Sequence, residues 1–280
     1  MSSSNAAGPV RVADLAVGFS ALAVTIHGGV ATVELDQPEQ RNIVSDDPLM
    51  TELTTFALAV SDDLDVRAVV LTGRGPAFSA GGNIRKMLDG DGMFGGGPTA
   101  IVDGYRTGVQ RLVRAVHAIP VPTIAAVNGP AIGAGFDLTL ACDLRLASTK
   151  AKFGETFVNL GIVPGDGGSW FLPRAVGVQR AMELAFTGRI IDADEAVALG
   201  VVLSVHEPDQ LLPAARAIAG EIASKPGTAV RWTKQLIRRA ERASLDDVLD
   251  ATAPLQAILH GTPEHRDALL AIIGRTSSRR

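Results

Sequence analysis

Residues 122–148, PTIAAVNGPAIGAGFDLTLACDLRLAS, decide the fold class. The apolar run at 122–129 ends in Asn-Gly and predicts a buried strand, and residues 144–148 predict another. Between the two runs lies a Gly-Ala-Gly step, followed by a helix-like segment that carries one carboxylate, Asp137. Strands that alternate with helices in this way are typical of an α/β core.

A second stretch, residues 69–87 (VVLTGRGPAFSAGGNIRKM), has the same order of strand, turn, small residues and helix. The first N–H groups of a helix have no intrahelical partner and carry the positive end of its dipole. Small side chains let a ligand approach that backbone closely. Two such N–H groups directed at one point would form an oxyanion hole. Glycines that serve only tight turns and packing are the alternative, but two such turns in one chain favour the functional interpretation.

The remaining pattern divides the chain into three parts. Residues 21–35 predict a hairpin, residues 46–62 a helix and residues 67–73 a buried strand. After Gly200 one more strand is expected, and residues 209–273 then have helical periodicity. We therefore predict a disordered lead-in at 1–18, an α/β core at 19–207 and an α-helical region at 208–280.

Composition limits the class of function. The chain has 280 residues, of which 46% are hydrophobic and 20% charged, with a net charge of −4. This composition indicates a globular protein and argues against a nucleic-acid-binding face, which needs a basic excess. Cys142 is the only cysteine, so an internal disulfide is impossible and a reducing compartment is expected. No signal peptide or long apolar window is evident, so we predict a soluble cytoplasmic protein without a membrane span.

Three familiar types of site are not predicted. Residues 90–95 (GDGMFG) match G-x-G-x-x-G, but they follow a helix-like segment rather than a strand and predict a surface loop. His260 and His265 are five residues apart, which is not the spacing of a zinc-binding helix. A nucleophile elbow of the G-x-S-x-G type does not occur. We expect neither a metal nor a dinucleotide cofactor.

Four segments together resemble one family: AFSAGGNIRKM (77–87), VNGPAIGAGFDLTLACDLRLAS (127–148), AKFGETFVNLGIVPGDGGSWFLPRAVG (151–177) and AMELAFTGRIIDADEAVALGVV (181–202). The chain resembles the crotonase (enoyl-CoA hydratase/isomerase) superfamily over about residues 20–275. The resemblance implies a spiral of ββα units, a helical C-terminal trimerisation region, and a homotrimer or a dimer of trimers. It also implies an acyl-CoA substrate, whose thioester carbonyl is held by two backbone N–H groups while an enolate forms.

Transferred residue by residue, the resemblance places the oxyanion donors at the N–H groups of Gly82 and Ala134. The two glutamates of the family's hydratases fall on Asp137, a shorter acid, and on Phe157, which cannot transfer a proton. This departure puts the two-carboxylate hydration mechanism in doubt.

Two further acids lie near these positions. Glu155 precedes Phe157 by two residues, and Asp166 stands in a Pro-Gly-Asp-Gly-Gly loop where several relatives with other chemistries place an acid. Buried carboxyls near one another can have pKa values close to neutrality, which suits proton transfer. Asp137, Asp166 and Glu155 are therefore the candidate catalytic acids. The alternatives are a turn aspartate that bonds its own backbone, at Asp166, and a structural pair with a buried arginine, at Asp137.

The resemblance also suggests residues that contact the ligand. Ala80, Arg85 and Arg275 are candidate CoA-binding residues, of which the two arginines would approach the phosphates; solvated surface charge is the alternative. The acyl group would lie against Met87, Phe94, Phe136, Phe157 and Trp170, although such residues can equally be ordinary core.

We expect hydration of a trans-2-enoyl-CoA to a 3-hydroxyacyl-CoA, with no cofactor besides the acyl-CoA substrate. An enoyl-CoA double-bond isomerase or a β-dicarbonyl C–C hydrolase is the first alternative, because an isomerase can operate with one base. A non-catalytic acyl-CoA-binding protein is the second.

Overall fold

The computed structural model describes residues 11–277, with side chains described as far as residue 274. The strands in this range are β1 (Leu22–His27), β2 (Val30–Leu35), β3 (Ala68–Gly73), β4 (Thr123–Val127), β5 (Ala131–Ile132), β6 (Leu144–Ser148), β7 (Lys152–Gly154), β8 (Ile190–Asp192) and β9 (Ser204–His206). The helices are α1 (Val12–Ala16), α2 (Leu49–Asp62), α3 (Ile84–Asp89), α4 (Gly97–Thr107), α5 (Val109–Ala118), α6 (Ala134–Ala141), α7 (Gly168–Val176), α8 (Val178–Thr187), α9 (Ala193–Ala198), α10 (Pro208–Ala223), α11 (Gly227–Ala240), α12 (Leu245–His260) and α13 (Pro263–Ser277). Over residues 11–277, none of these helices is long and apolar enough to cross a bilayer.

A six-stranded sheet forms the centre of the molecule. Its order is β1-β2-β3-β4-β6-β9, and all neighbours are parallel except the β1–β2 hairpin. Every residue of β3 and β4 is buried, as expected for parallel strands that are covered on both faces. The hairpin and the strands predicted at 67–73, 122–129 and 144–148 are all present, with ends that shift by at most two residues. The carboxyl ends of β3 and β4 therefore lie side by side.

Helix α10 belongs to the core of this sheet. Its buried residues lie four apart on one face and pack against the apolar side chains of β2, β3, β4 and β6. They are Leu211, Ala215, Ala219 and Ala223. The opposite face of the sheet packs against α2, α5 and α6. The helical region predicted from residue 208 thus begins with a helix that completes the α/β core, and α11–α13 follow it.

The predicted disorder of residues 1–18 is wrong for part of that range. Residues 12–16 form α1, Val12 is fully buried, and its N–H donates to Asp63 Oδ2 at 2.9 Å. The local pattern gave no sign of this helix because the contacts that hold it, such as the bond to Asp63, are with segments distant in sequence. The first ten residues of the predicted lead-in lie outside the described residues.

A second, three-stranded sheet (β5-β7-β8) lies beside the first. Two isolated bridges extend it, one between Ser79 and Ala131 and one between Ile43 and Gly81. Through these bridges the turn that follows β3 is joined to the turn that follows β4. The two glycine-rich turns that sequence singles out are therefore neighbours in space.

Helix α11 is attached to the core by a buried ion cluster. Asp143 accepts from Lys234 Nζ at 2.6 Å and from Arg238 Nη2 at 2.7 Å, and it also accepts from the Thr123 N–H. Lys234 has only 8% of its side chain exposed. Burial lowers the pKa of Lys234 to about 8, while the two cations outweigh burial at Asp143 and lower the pKa of that carboxyl.

Replacing Asp143 with Asn should therefore destabilise the fold, because it leaves two cations without their counter-charge. We expect the free energy of unfolding at pH 7 to fall by about 2 to 3 kcal/mol, measured by urea denaturation. Since the folded-state pKa of Asp143 is lowered, its contribution is present above the unfolded pKa. The difference in the free energy of unfolding between variant and parent should accordingly become smaller below about pH 4. Glu221→Gln, which removes an exposed partner of Lys225, is the control and should lower the free energy of unfolding by less than about 0.5 kcal/mol. An equal loss of stability in both variants would contradict the prediction.

Candidate active site

The two glycine-rich turns are joined by backbone hydrogen bonds. The N–H groups of Phe78 and Ser79 both donate to Pro130 O at 3.1 Å, and Ile132 N–H donates to Ser79 O at 3.1 Å. Gly81 lies so close to the second turn that a Cβ there would stand 2.2 Å from Ile132 O and 3.2 Å from Ala134 N. These contacts bring the segment before α3 against the first turn of α6.

Gly82 and Ala134 line one cavity of about 60 Å³. Within the described residues, neither backbone N–H donates a hydrogen bond. Ala134 is the first residue of α6, so its N–H also carries the positive end of that helix dipole. A pair of preorganised donors beside a cavity can stabilise the negative charge that develops on a carbonyl oxygen. The structure thus brings together the two predicted oxyanion donors.

Asn42, which sequence analysis missed, fixes the shape of the first turn. Its buried Nδ2 donates to Ala77 O at 3.0 Å and to Phe78 O at 3.2 Å. The backbone carbonyl of Asn42 accepts from Ser79 Oγ at 2.7 Å. Ser79 Oγ in turn accepts from the Gly81 N–H. Asn tolerates the left-handed conformation (φ 54°) that residue 42 adopts. The signal available in sequence was an asparagine at the end of a polar segment (36–41), which does not by itself distinguish an ordinary loop residue from one that holds a neighbouring turn in place.

Asp166 lines the same cavity as the oxyanion donors. It precedes α7, is 5% exposed, and its Oδ1 has no hydrogen-bond partner among the described residues. Burial raises the pKa of this carboxyl to about 7. A hydrogen bond between Asp166 Oδ1 and its own loop, the alternative interpretation of this sequence, is thus absent among the described residues. A carboxyl that titrates near neutrality beside an oxyanion hole is suited to taking and returning a proton.

Asp137 and Glu155 meet behind the cavity, at Gly168. Asp137 Oδ2 accepts from the Gly168 N–H at 2.9 Å. A Cβ at Gly168 would stand 2.5 Å from Asp137 Oδ1 and 2.1 Å from Glu155 Oε1, so only glycine leaves room for both carboxyls. No arginine is bonded to Asp137 in the described part of the chain; a second acid, Glu155, lies beside it over Gly168.

This pair is electrostatically unusual because both carboxyls are almost completely buried. Burial, followed by the charges of Glu155 and Asp166, raises the pKa of Asp137 well above its ordinary value. Burial also raises the pKa of Glu155 to about 7, although hydrogen bonding with Asp137 works in the opposite direction. Asp137 thus accepts from the Gly168 N–H, two residues beyond Asp166, and ties α6 to the segment that carries Asp166. Neither member of the pair lines the cavity.

Phe157, to which the resemblance assigns the position of the second acid, forms a wall of the cavity. Its ring is buried, and Cζ lies 3.6 Å from where a Cβ of Gly133 would stand. Met87, Phe94 and Ala80 line the same cavity. The site is therefore apolar where a second carboxylate would otherwise stand.

Two of the predicted acyl contacts need correction. Phe136 is 1% exposed and packs on Phe153 at a ring distance of 5.4 Å, so it belongs to the core. Trp170 lines a different cavity, next to α11, and stacks with Arg174. Helix α6 is buried on all sides, so its sequence gives no periodicity from which a cavity face could be identified.

The predicted CoA contacts differ in position. Arg85 is exposed on α3 and does not line the cavity. Its neighbour Lys86 pairs with Asp46 at 3.2 Å. Arg275 lies in α13, but its side chain is outside the described residues. In the described part of the chain, no group of three or more His, Cys, Asp or Glu side chains is arranged to hold a metal ion.

Tyr105 is a cavity residue that sequence analysis did not single out. It comes from α4, more than twenty residues beyond the first glycine-rich turn, and it is the only tyrosine of the chain. Its spacing from Ile101 and Val109 (four residues on each side) indicated only an apolar helix face.

Comparison with known proteins agrees with this geometry. The family model for enoyl-CoA hydratase/isomerase matches residues 25–271. A short-chain-enoyl-CoA hydratase of Clostridium acetobutylicum is 35% identical over 250 residues, which cover 88% of this chain and 92% of that protein. A 1,2-epoxyphenylacetyl-CoA isomerase of Escherichia coli is 33% identical over 257 residues, which cover 90% of this chain and 95% of that protein.

Solved structures have the same fold. The crystal structure of an enoyl-CoA hydratase from Bacillus anthracis superposes with a TM-score of 0.85 at 32% identity, over 91% of this chain and 97% of that one. The matched range includes both oxyanion turns, all three buried acids and most of the helical C-terminal region. The chain has the crotonase fold and is an enzyme of the enoyl-CoA hydratase/isomerase family.

Proposed function

We propose that this enzyme moves a double bond within an enoyl-CoA by proton transfer through one carboxylate, Asp166. One observation supports this proposal most directly. Among the described residues that line the cavity with Gly82 and Ala134, Asp166 is the only carboxyl. Isomerisation needs one group that removes a proton and returns it, whereas hydration must also hold and activate a water molecule.

In the proposed reaction, the thioester oxygen of a trans-3-enoyl-CoA accepts hydrogen bonds from Gly82 N–H and Ala134 N–H. Ionised Asp166 takes a proton from C2, and the negative charge moves onto the thioester oxygen as a dienolate. Protonated Asp166 then returns the proton to C4, which leaves the double bond between C2 and C3. One proton leaves and one returns, so no cofactor or co-reactant besides the acyl-CoA is needed.

Hydration is the second candidate, and the similarity to the short-chain-enoyl-CoA hydratase and to a crotonyl-CoA hydratase favours it. It would require Glu155 or Asp137 to reach a water molecule from behind Gly168. The apolar Phe157 ring at the second acid position argues against a bound water there. The name of the E. coli isomerase supports the first candidate.

The remaining parts of the substrate site are proposals of the same kind. Exposed Arg85 would approach the CoA phosphates, and Ala80 would lie against the pantetheine arm beside the cavity. Contact between Arg275 and the CoA phosphates remains a prediction. Assembly into a homotrimer or a dimer of trimers is also a prediction.

Mass spectrometry of products formed in deuterated water tests the proposal. We expect the purified enzyme to interconvert trans-3- and trans-2-enoyl-CoA with no gain of water, and to incorporate deuterium at C2 or C4. Addition of one water to the trans-2 substrate would instead establish hydration and overturn the proposal. The Asp166→Asn variant is the matched control and should show neither migration nor exchange.

A further inference from the structure

Tyr105 separates the catalytic cavity from a second, larger space. The ring lines the cavity of about 60 Å³ on one side and a groove of about 450 Å³ on the other. The groove is lined by the aliphatic side chains of Ile101 and Val102 on α4 and of Ile162 and Val163 on the opposite loop, and Arg106 and Gln110 are its polar members. Gly165, next to the catalytic Asp166, lines the groove as well. A group bound at the oxyanion hole would thus reach the groove if the Tyr105 ring were absent.

The ring is held in this position from several directions. Its Cε1 lies against Gly165, where a Cβ would stand only 2.8 Å away. Phe94 packs edge-to-face on it at 6.2 Å between ring centroids. Gln110 Nε2 donates to Gly165 O at 3.0 Å and fixes the backbone that faces the ring. The Tyr105 ring, with Gly165 against it, therefore lies between the cavity and the groove.

The groove has the surface expected of a binding site for an alkyl chain. Val163 is 78% exposed and Val102 is 45% exposed, although both are aliphatic. Contiguous exposed apolar side chains of this kind mark ligand or partner sites. The catalytic cavity, by contrast, is several times smaller at about 60 Å³, which suits an acyl group of a few carbons.

We propose that Tyr105 is a specificity-determining residue that closes the acyl site, so that the enzyme selects short acyl groups, and that the groove behind it would take the distal part of a long acyl chain if the ring were removed. This inference rests on the proposed acyl-CoA substrate. Burial and the charge of Asp166 raise the pKa of Tyr105, so the ring remains a neutral barrier at physiological pH.

Binding of saturated acyl-CoAs tests this assignment independently of turnover. We would measure butyryl-CoA and dodecanoyl-CoA by isothermal titration calorimetry with the full-length protein. The parent should bind dodecanoyl-CoA no more tightly than butyryl-CoA. In Tyr105→Ala the longer ligand should bind at least tenfold more tightly than the shorter one, because each newly buried methylene contributes about fourfold. Tyr105→Phe keeps the ring and should reproduce the length preference of the parent.

A second substitution tests the route of the chain. Adding Val102→Trp to Tyr105→Ala should abolish the tenfold gain, because the large side chain fills the groove that the longer chain would enter. A parent that already prefers dodecanoyl-CoA, or a Tyr105→Ala variant with the parent's length preference, would overturn the inference. If Tyr105→Ala does not fold, Tyr105→Leu provides the same test with a smaller loss of packing. Failure of the parent to bind either ligand would instead contradict the proposed function.

Discussion

Replacing Asp166 with Asn should lower kcat about 10³-fold with little change in KM. The substitution keeps the size and polarity of the side chain but removes its ability to accept a proton from carbon. General acid–base groups typically contribute about 10²- to 10⁴-fold, and in this proposal one residue both removes and returns the proton. Steady-state kinetics of double-bond migration would measure the loss.

The pH dependence of the parent provides a second measurement of the same role. Burial raises the pKa of Asp166 to about 7, and the ionised form is the base. We therefore expect kcat/KM to increase with pH through an apparent pKa near 7 and to level off above it. Glu155→Gln is the control, since Glu155 also has a pKa raised to about 7. This variant should keep the pH transition and lose less than tenfold in kcat. Loss of the transition in Glu155→Gln, with Asp166→Asn still active, would assign the base to Glu155.

Local sequence pattern predicted the scaffold well because parallel strands covered on both faces are nearly continuous apolar runs. Residues 144–148 form a strand with the predicted bounds, and the strand at 123–127 lies within its predicted range. The oxyanion turns were also predictable, since each combines the end of a strand, small residues and a helix start. Physical reasoning about each turn alone could not show that they meet, and here the resemblance to a known family supplied what the spacing did not.

Contacts between distant segments account for what remained unpredicted. Asp137 and Glu155 are eighteen residues apart and meet over Gly168, which belongs to a third segment. Phe136 and Phe157 both looked like acyl contacts, yet one faces the core and the other the cavity. Which way each ring points depends on how its short helix packs in the fold. Neither helix has enough polar residues for the sequence to show which of its faces is buried in the core. Residue type thus indicated the kind of chemistry, while the path of the chain decided which residues take part.

Replacing Gly81 with Ala should lower kcat/KM about 10²- to 10³-fold, which is the effect of losing one oxyanion donor. Gly81 has φ +84°, which side chains rarely adopt, and a Cβ there would stand 2.2 Å from Ile132 O and 3.2 Å from Ala134 N. Relief of this clash must separate the two turns and so move Gly82 N–H and Ala134 N–H relative to each other. Gly82→Ala is the matched control: it keeps the N–H, and its Cβ would meet only the flexible end of Met87, so the expected loss is below tenfold. Equal losses in the two variants, with both folded by circular dichroism, would show that the spacing of the turns does not determine the rate.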